Sequence, residues 1–129
     1  MTIDKLVEAA AATRLRAYVP YSKFQVGAAL LASDGEVFTG CNIENVSYGL
    51  TMCAERVAVG AAVAHGAREF QRLALVSDST QPVVPCGACR QVLAEFAPEL
   101  QIVSATLSGE TMEFQLSKLL PVPRQGILN

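Results

Sequence analysis

Apolar residues recur at helical spacing at the start of the chain. Ile3, Leu6, Val7, Ala10 and Ala11 share one face, which predicts a helix over 3–17 with Thr2 as its N-cap. Tyr18-Val19-Pro20-Tyr21-Ser22 ends it, because proline disfavours helical geometry in the residue before it. Val26 to Ala32 reads as a strand, Ser33-Asp34-Gly35 as a turn, and Glu36 to Cys41 as the returning strand of a hairpin. Asn42 to Thr51 is polar and reads as a loop. Cys53 to His65 is alanine-rich, with Val57, Ala61 and Ala64 along one face, and predicts a buried helix closed by Gly66. Leu73–Ser77 is a short apolar run, the expected central strand. A loop with two prolines, Asp78 to Pro85, leads into a helix over Cys86–Phe96. Strands follow at Ile102–Leu107 and Thr111–Gln115 around a turn at Ser108-Gly109-Glu110, then a short helix over Leu116–Leu120. No periodicity marks the tail after Pro121.

Helices alternate with strands after the hairpin, which predicts an α/β fold: one five-stranded mixed sheet with helices on both faces, in three layers α/β/α. No repeat or linker divides the chain, so a single domain over 1–129 is expected. At 51% hydrophobic and 17% charged residues, it has ample material for a core. Ten Lys/Arg against twelve Asp/Glu leave a net charge of −2 and no basic stripe, which argues against a nucleic-acid partner and for a small substrate. The N-terminus lacks the pattern of a signal peptide, and no apolar stretch suits a membrane span. A cytoplasmic location is expected. Thiols stay reduced there, so the four cysteines read first as ligands or catalysts.

Two inner helices start at Cys53 and Cys86, so the cysteines should gather at helix N-termini at one edge of the sheet. Cys53-Ala54-Glu55-Arg56 and Pro85-Cys86-Gly87-Ala88-Cys89 offer three thiolates and one nearby acid. A structural zinc normally has four protein ligands, whereas a catalytic one leaves a position for water. Three thiolates and Zn²⁺ sum to −1, which weakens the metal as a Lewis acid. Arg56 is the candidate to offset that charge by hydrogen bonding to the ligand sulfurs. Two other readings stay open on spacing alone. Cys86 and Cys89 also resemble a redox dithiol, and Cys41 could complete a closed Cys₄ zinc site. His65, beside Gly66 at a helix end, reads as a helix-terminal residue rather than a ligand.

Cys-Ala-Glu followed by Pro-Cys-x-x-Cys resembles the zinc signature of the cytidine deaminase superfamily, which is a known general pattern. The likeness extends to Tyr21-Ser22-Lys23-Phe24-Gln25-Val26-Gly27-Ala28-Ala29-Leu30, to Gly40-Cys41-Asn42-Ile43-Glu44-Asn45 and to Arg90-Gln91 after the second motif. Over roughly residues 3–121 the chain resembles the short, three-cysteine, homotetrameric cytidine deaminases of pyrimidine salvage. That resemblance implies one Zn²⁺ per chain on Cys53, Cys86 and Cys89. It implies Glu55 as the carboxylate that moves protons between the attacking water, N3 of the base and the departing amine. It further implies Asn42 and Glu44 on the ribose, chiefly its 3′-hydroxyl, so that deoxycytidine is accepted as well as cytidine. Phe24 would pack on the base and Tyr48 would help shape the pocket. Relatives often carry a phenylalanine three residues after the Leu-Leu-Pro element; here Leu119-Leu120-Pro121 leads to Arg124. Arg124 would then take another interface role, such as stacking on the base, or the contact is lost. The competing functions are a deaminase of another aminated base or aminonucleoside antibiotic, a nucleic-acid editor, and a non-catalytic zinc module. Only the last has no use for Glu55.

Overall fold

The computed structural model describes residues 1–124; the end of the aperiodic tail, 125–129, lies outside them. Helix α1 spans Ile3–Arg14, and its Thr2 cap accepts the Lys5 amide at 3.2 Å. The helical signal ran to residue 17 because Leu15, Arg16 and Ala17 continue as a tightened turn, their amides bonding carbonyls three residues back. The Tyr18 amide then bonds the Asn42 carbonyl and pulls the chain off the helix axis.

Strands β1 (Val26–Ala32) and β2 (Val37–Cys41) form the predicted hairpin. A single 3₁₀ turn, Tyr48–Leu50, sits in the loop that follows. Helix α2 is Ala54–Ala64, strand β3 is Phe70–Ser77 and helix α3 is Gly87–Phe96. Strands β4 (Gln101–Thr106) and β5 (Thr111–Gln115) and helix α4 (Leu116–Leu119) complete the described residues. β3 starts before the apolar run Leu73–Ser77, because Phe70 and Arg72 pair with Ala32 and Leu31 of β1. Polar Gln71 and Arg72 hid that extension from the hydropathy pattern.

Among the described residues the sheet order is β2-β1-β3-β4-β5, with only β3 and β4 parallel. β1 is buried along both faces, which is why it reads as an unbroken apolar run. One face packs Leu6 and Ala10 of α1 on Ala29, Leu31, Ala74, Val76, Val103 and Ala105. The other packs Ala58, Val59 and Ala62 of α2 and Leu93 of α3 on Leu30, Phe38, Leu73 and Leu75. The three layers are therefore as expected. Among the described residues, no helix is long and apolar enough to cross a membrane.

Gly40 sets how closely α2 can approach the sheet. A Cβ there would stand 2.5 Å from both the Ala54 carbonyl oxygen and the Ala58 amide nitrogen, inside the backbone of the first turns of α2. Gly40→Ala is therefore expected to cost about 3 kcal/mol in urea denaturation by overpacking. Gly60 lies in α2 with open space around it, so Gly60→Ala should stabilise by about 0.5–1 kcal/mol. Equal effects of the two substitutions would show that Gly40 does not set the spacing.

Candidate active site

The register aligns Val26, Ser77 and Thr106 across the sheet, with Cys41 opposite Gly27 beside them. α2 begins just beyond β2, and α3 follows the loop after β3. The cysteines thus gather at helix N-termini beyond one end of the strands.

Cys53 is the N-cap of α2 and Cys86 the N-cap of α3, while Cys89 lies in the first turn of α3. Neither cap makes a side-chain bond to its helix. Serine or aspartate at such a position contributes about 1 kcal/mol to a helix, so both helices forgo that gain and leave the sulfur free. Cys86 Sγ lies 3.9 Å from Cys53 Sγ and 3.4 Å from Cys89 Sγ, and all three sulfurs fall within 4.8 Å of one another. Tetrahedral zinc with Zn–S bonds of about 2.3 Å requires sulfurs about 3.8 Å apart. The cluster therefore fits one Zn²⁺ on three thiolates. Cys41 is not in the group.

Arg56 Nη2 donates to Cys53 Sγ at 3.4 Å and to the Thr51 carbonyl at 3.2 Å. The Cys53 thiol is drawn down to about 5 by its bond with Cys89, with Arg56 and Cys86 assisting against burial. Cys89, fully buried, is pushed up by the same bond, by burial and by the Glu55 charge. Glu55 lies in the first turn of α2 and is 6% exposed. Burial raises its carboxyl, and the Cys53 charge adds to the rise.

Residues 42–44 run extended between two neighbours. Tyr18 bonds to Asn42 and Glu44 on one side, and Ile43 exchanges both backbone bonds with Met52 on the other. That pairing ties the Asn42/Glu44 segment directly to the residue before Cys53. Glu44 Oε1 accepts the Tyr21 and Ser22 amides at 3.0 and 3.1 Å, and Oε2 accepts the Ser22 hydroxyl. These bonds, led by the Ser22 hydroxyl, hold its carboxyl below the usual range. A cleft of about 400 Å³ is lined by Tyr21, Ser22, Glu44, Tyr48 and Thr51.

A family model described as "Cytidine and deoxycytidylate deaminase zinc-binding region" matches residues 1–105, which hold all three clustered cysteines. A cytidine deaminase of Sporosarcina psychrophila is 52% identical over 122 residues, 94% of this chain and 90% of that relative. The chain belongs to the cytidine deaminase family. The solved cytidine deaminase of Burkholderia pseudomallei matches with a TM-score of 0.91 at 50% identity, over 94% of this chain and 98% of that one. A blasticidin-S deaminase of Bacillus cereus is 32% identical over 109 residues, 78% of this chain and 77% of that relative. Zinc is the metal of this family, in agreement with the sulfur spacing.

Of the residues singled out in the sequence, Glu44 and Tyr48 share the cleft. Asn42 makes two bonds within the chain. Its Oδ1 accepts the Val26 amide at 2.9 Å and its Nδ2 donates to the Phe24 carbonyl at 2.8 Å. It braces the segment that carries Phe24, while one amide hydrogen and one lone pair remain for a ligand. Tyr21, Ser22 and Thr51 line the cleft without having been marked as site residues, and Tyr21 meets Tyr48 edge-on at 5.9 Å. Arg124 Nη2 donates to the Glu95 carbonyl at 3.1 Å, late in α3 and away from Cys86, so within this chain it does not reach the site. His65 caps its helix, with Nδ1 3.0 Å from the Ala61 carbonyl.

Replacing Cys41 by serine should leave about one zinc per chain, whereas serine at Cys53, Cys86 or Cys89 should remove most of it. Atomic emission on the purified variants measures this. The raised Cys89 thiol must lose its proton to bind metal, so zinc uptake should release protons and weaken as pH falls. Loss of zinc from Cys41→Ser would restore the closed Cys₄ site.

Proposed function

We propose that the chain hydrolyses cytidine and 2′-deoxycytidine to uridine and 2′-deoxyuridine, releasing ammonia. The observation that carries this reading is a buried carboxyl, Glu55, in the same first turn as a zinc-sized thiol cluster. Zinc, when bound by Cys53, Cys86 and Cys89, supplies the Lewis acid that makes water a usable nucleophile near neutral pH. The chain's own residues do the rest. Glu55 takes a proton from the attacking water and passes it to N3 of the base. Its carboxylate then moves the second proton, from the hydroxyl now on C4, to the amine as the C4–N bond breaks. Burial keeps these protons from exchanging with bulk water between steps. Arg56 hydrogen-bonds Cys53 and offsets the −1 charge of three thiolates with Zn²⁺.

Asn42 and Glu44 suit one ribose hydroxyl between them. Glu44 has about four lone-pair sites, three already used, and Asn42 retains one N–H. A 3′-hydroxyl donating to Glu44 and accepting from Asn42 would use both remainders. Phe24 packs on the base in this reading, and Tyr48 closes the cleft wall. The 2′-hydroxyl has no assigned partner, so deoxycytidine is a substrate too.

The continuous sheet with helices on both faces supports one domain over the chain. Exposed Val46, Tyr48 and Leu50, at 77%, 74% and 67%, on the loop beside the cleft support a subunit contact there, and the chain assembles as a homotetramer in this reading. Solution mass tests it. A cytoplasmic role in pyrimidine salvage is part of this reading. The blasticidin-S deaminase at 32% identity favours a second reading, deamination of an aminonucleoside antibiotic; a substrate panel separates the two.

Ultraviolet assay of cytidine conversion is expected to show turnover in the zinc-replete protein. Glu55→Gln should keep its zinc and lose at least ~100-fold in kcat, or ~2.7 kcal/mol. Arg56→Gln should lower both turnover and zinc retention. Full activity in Glu55→Gln would remove it from the mechanism. A zinc-replete wild type inert toward both nucleosides would defeat the substrate assignment.

A further inference from the structure

We propose that Arg90 is a positioning residue of the metal centre, holding the exposed ligand Cys86 in place. The proposal rests on the reading of Cys86 and Cys89 as zinc ligands. A cation so early in α3 works against the helix dipole, so its place there calls for compensation. Arg90 is half-buried. Its Nε donates to the Pro85 carbonyl at 2.8 Å and its Nη1 to the Leu119 carbonyl at 3.3 Å. Its backbone amide also bonds the Cys86 carbonyl at 2.9 Å. One residue thus pins two successive carbonyls, those before and after the Cys86 nitrogen and Cα. With both peptide planes held, the direction of the Cys86 Cα–Cβ bond is set, and only χ1 remains free.

Cys86 needs this more than its neighbours do. Cys89 is fully buried and held by packing, and Cys53 is hydrogen-bonded by Arg56. Cys86 is exposed, and Gly87 and Ala88 after it are exposed as well. Packing does not fix it; the guanidinium holds the Pro85–Cys86 peptide plane, and the first helical bond of α3 holds the next. Pro85 is buried, and its carbonyl would lose this donor if Arg90 were cut back. Lysine carries its donors on one nitrogen and cannot span the Pro85 and Leu119 carbonyls as the fork does. The Leu119 bond also joins the site to the C-terminal segment, which Gln91 and Arg124 fasten further along α3.

The test compares zinc-loaded wild type, Arg90→Gln, Arg90→Lys and Gln91→Ala. Gln91→Ala releases the tail at Pro123 without touching Pro85. Zinc transfer to a chromogenic chelator is timed, kcat and KM for cytidine are measured, and the absorption bands of cobalt-substituted protein are recorded. Arg90→Gln is expected to lose zinc at least 10-fold faster. Its kcat should fall by a similar factor, with KM within about 2-fold, and its cobalt bands should shift. Arg90→Lys should fall between, and Gln91→Ala should match wild type. If Arg90→Gln does not fold, Arg90→Lys against Gln91→Ala carries the same comparison. Wild-type zinc release and cobalt spectra in the Arg90 variants would overturn the proposal. So would equally fast release from Gln91→Ala, which would make tail docking the cause. Wild-type protein that takes up no zinc would instead overturn the underlying ligand assignment, and this proposal with it.

Discussion

Two helices begin on cysteine at the same end of one sheet, and the thiols they carry meet within 4.8 Å. That meeting depends on backbone. α2 reaches its place because Gly40 presents no side chain to its first turns. α3 reaches its place because Leu93 and Ala94 are buried in the core shared with β3. Each helix gives up an ordinary cap, and the lost stabilisation is about 1 kcal/mol apiece. Metal binding to the assembled thiols is the interaction that offsets the missing caps in the loaded protein.

Charge is the second constraint. Three thiolates leave the metal site one unit negative with Zn²⁺, and a buried glutamate sits beside them. In the proposed function Arg56 answers this from within α2, where it ties Cys53 to the Thr51 carbonyl at the wall of the cleft. The same short stretch, Met52 to Arg56, therefore supplies a pairing partner for Ile43, a metal ligand, the buried acid and the balancing cation. The thiol cluster and the cleft are joined through adjacent residues rather than across the molecule.

Much of this was legible in the sequence, because periodicity and the two cysteine motifs act locally. The hairpin, both inner helices and β5 follow directly from spacing and turn chemistry. What the sequence does not show has a shared physical cause: the deciding partner is distant in sequence. β3 starts early because β1 pairs with Phe70 and Arg72. The bonds of the Asn42 amide to Phe24 and Val26, sixteen and more positions away, have no local signal. Glu44 is likewise oriented by Tyr21 and Ser22. Lys23 holds a left-handed conformation, φ 62°, between Ser22 and Phe24, which no side-chain pattern announces. Arg124 could be compared with an aromatic position only by alignment, and its bond to Glu95 needed the folded chain.

The most direct test of an open three-thiolate centre is zinc X-ray absorption on the purified protein. Three sulfurs at about 2.3 Å and one oxygen or nitrogen near 2.0 Å are expected, the lighter ligand leaving room for chemistry. Four sulfurs at a single distance would describe a closed structural site and contradict the account.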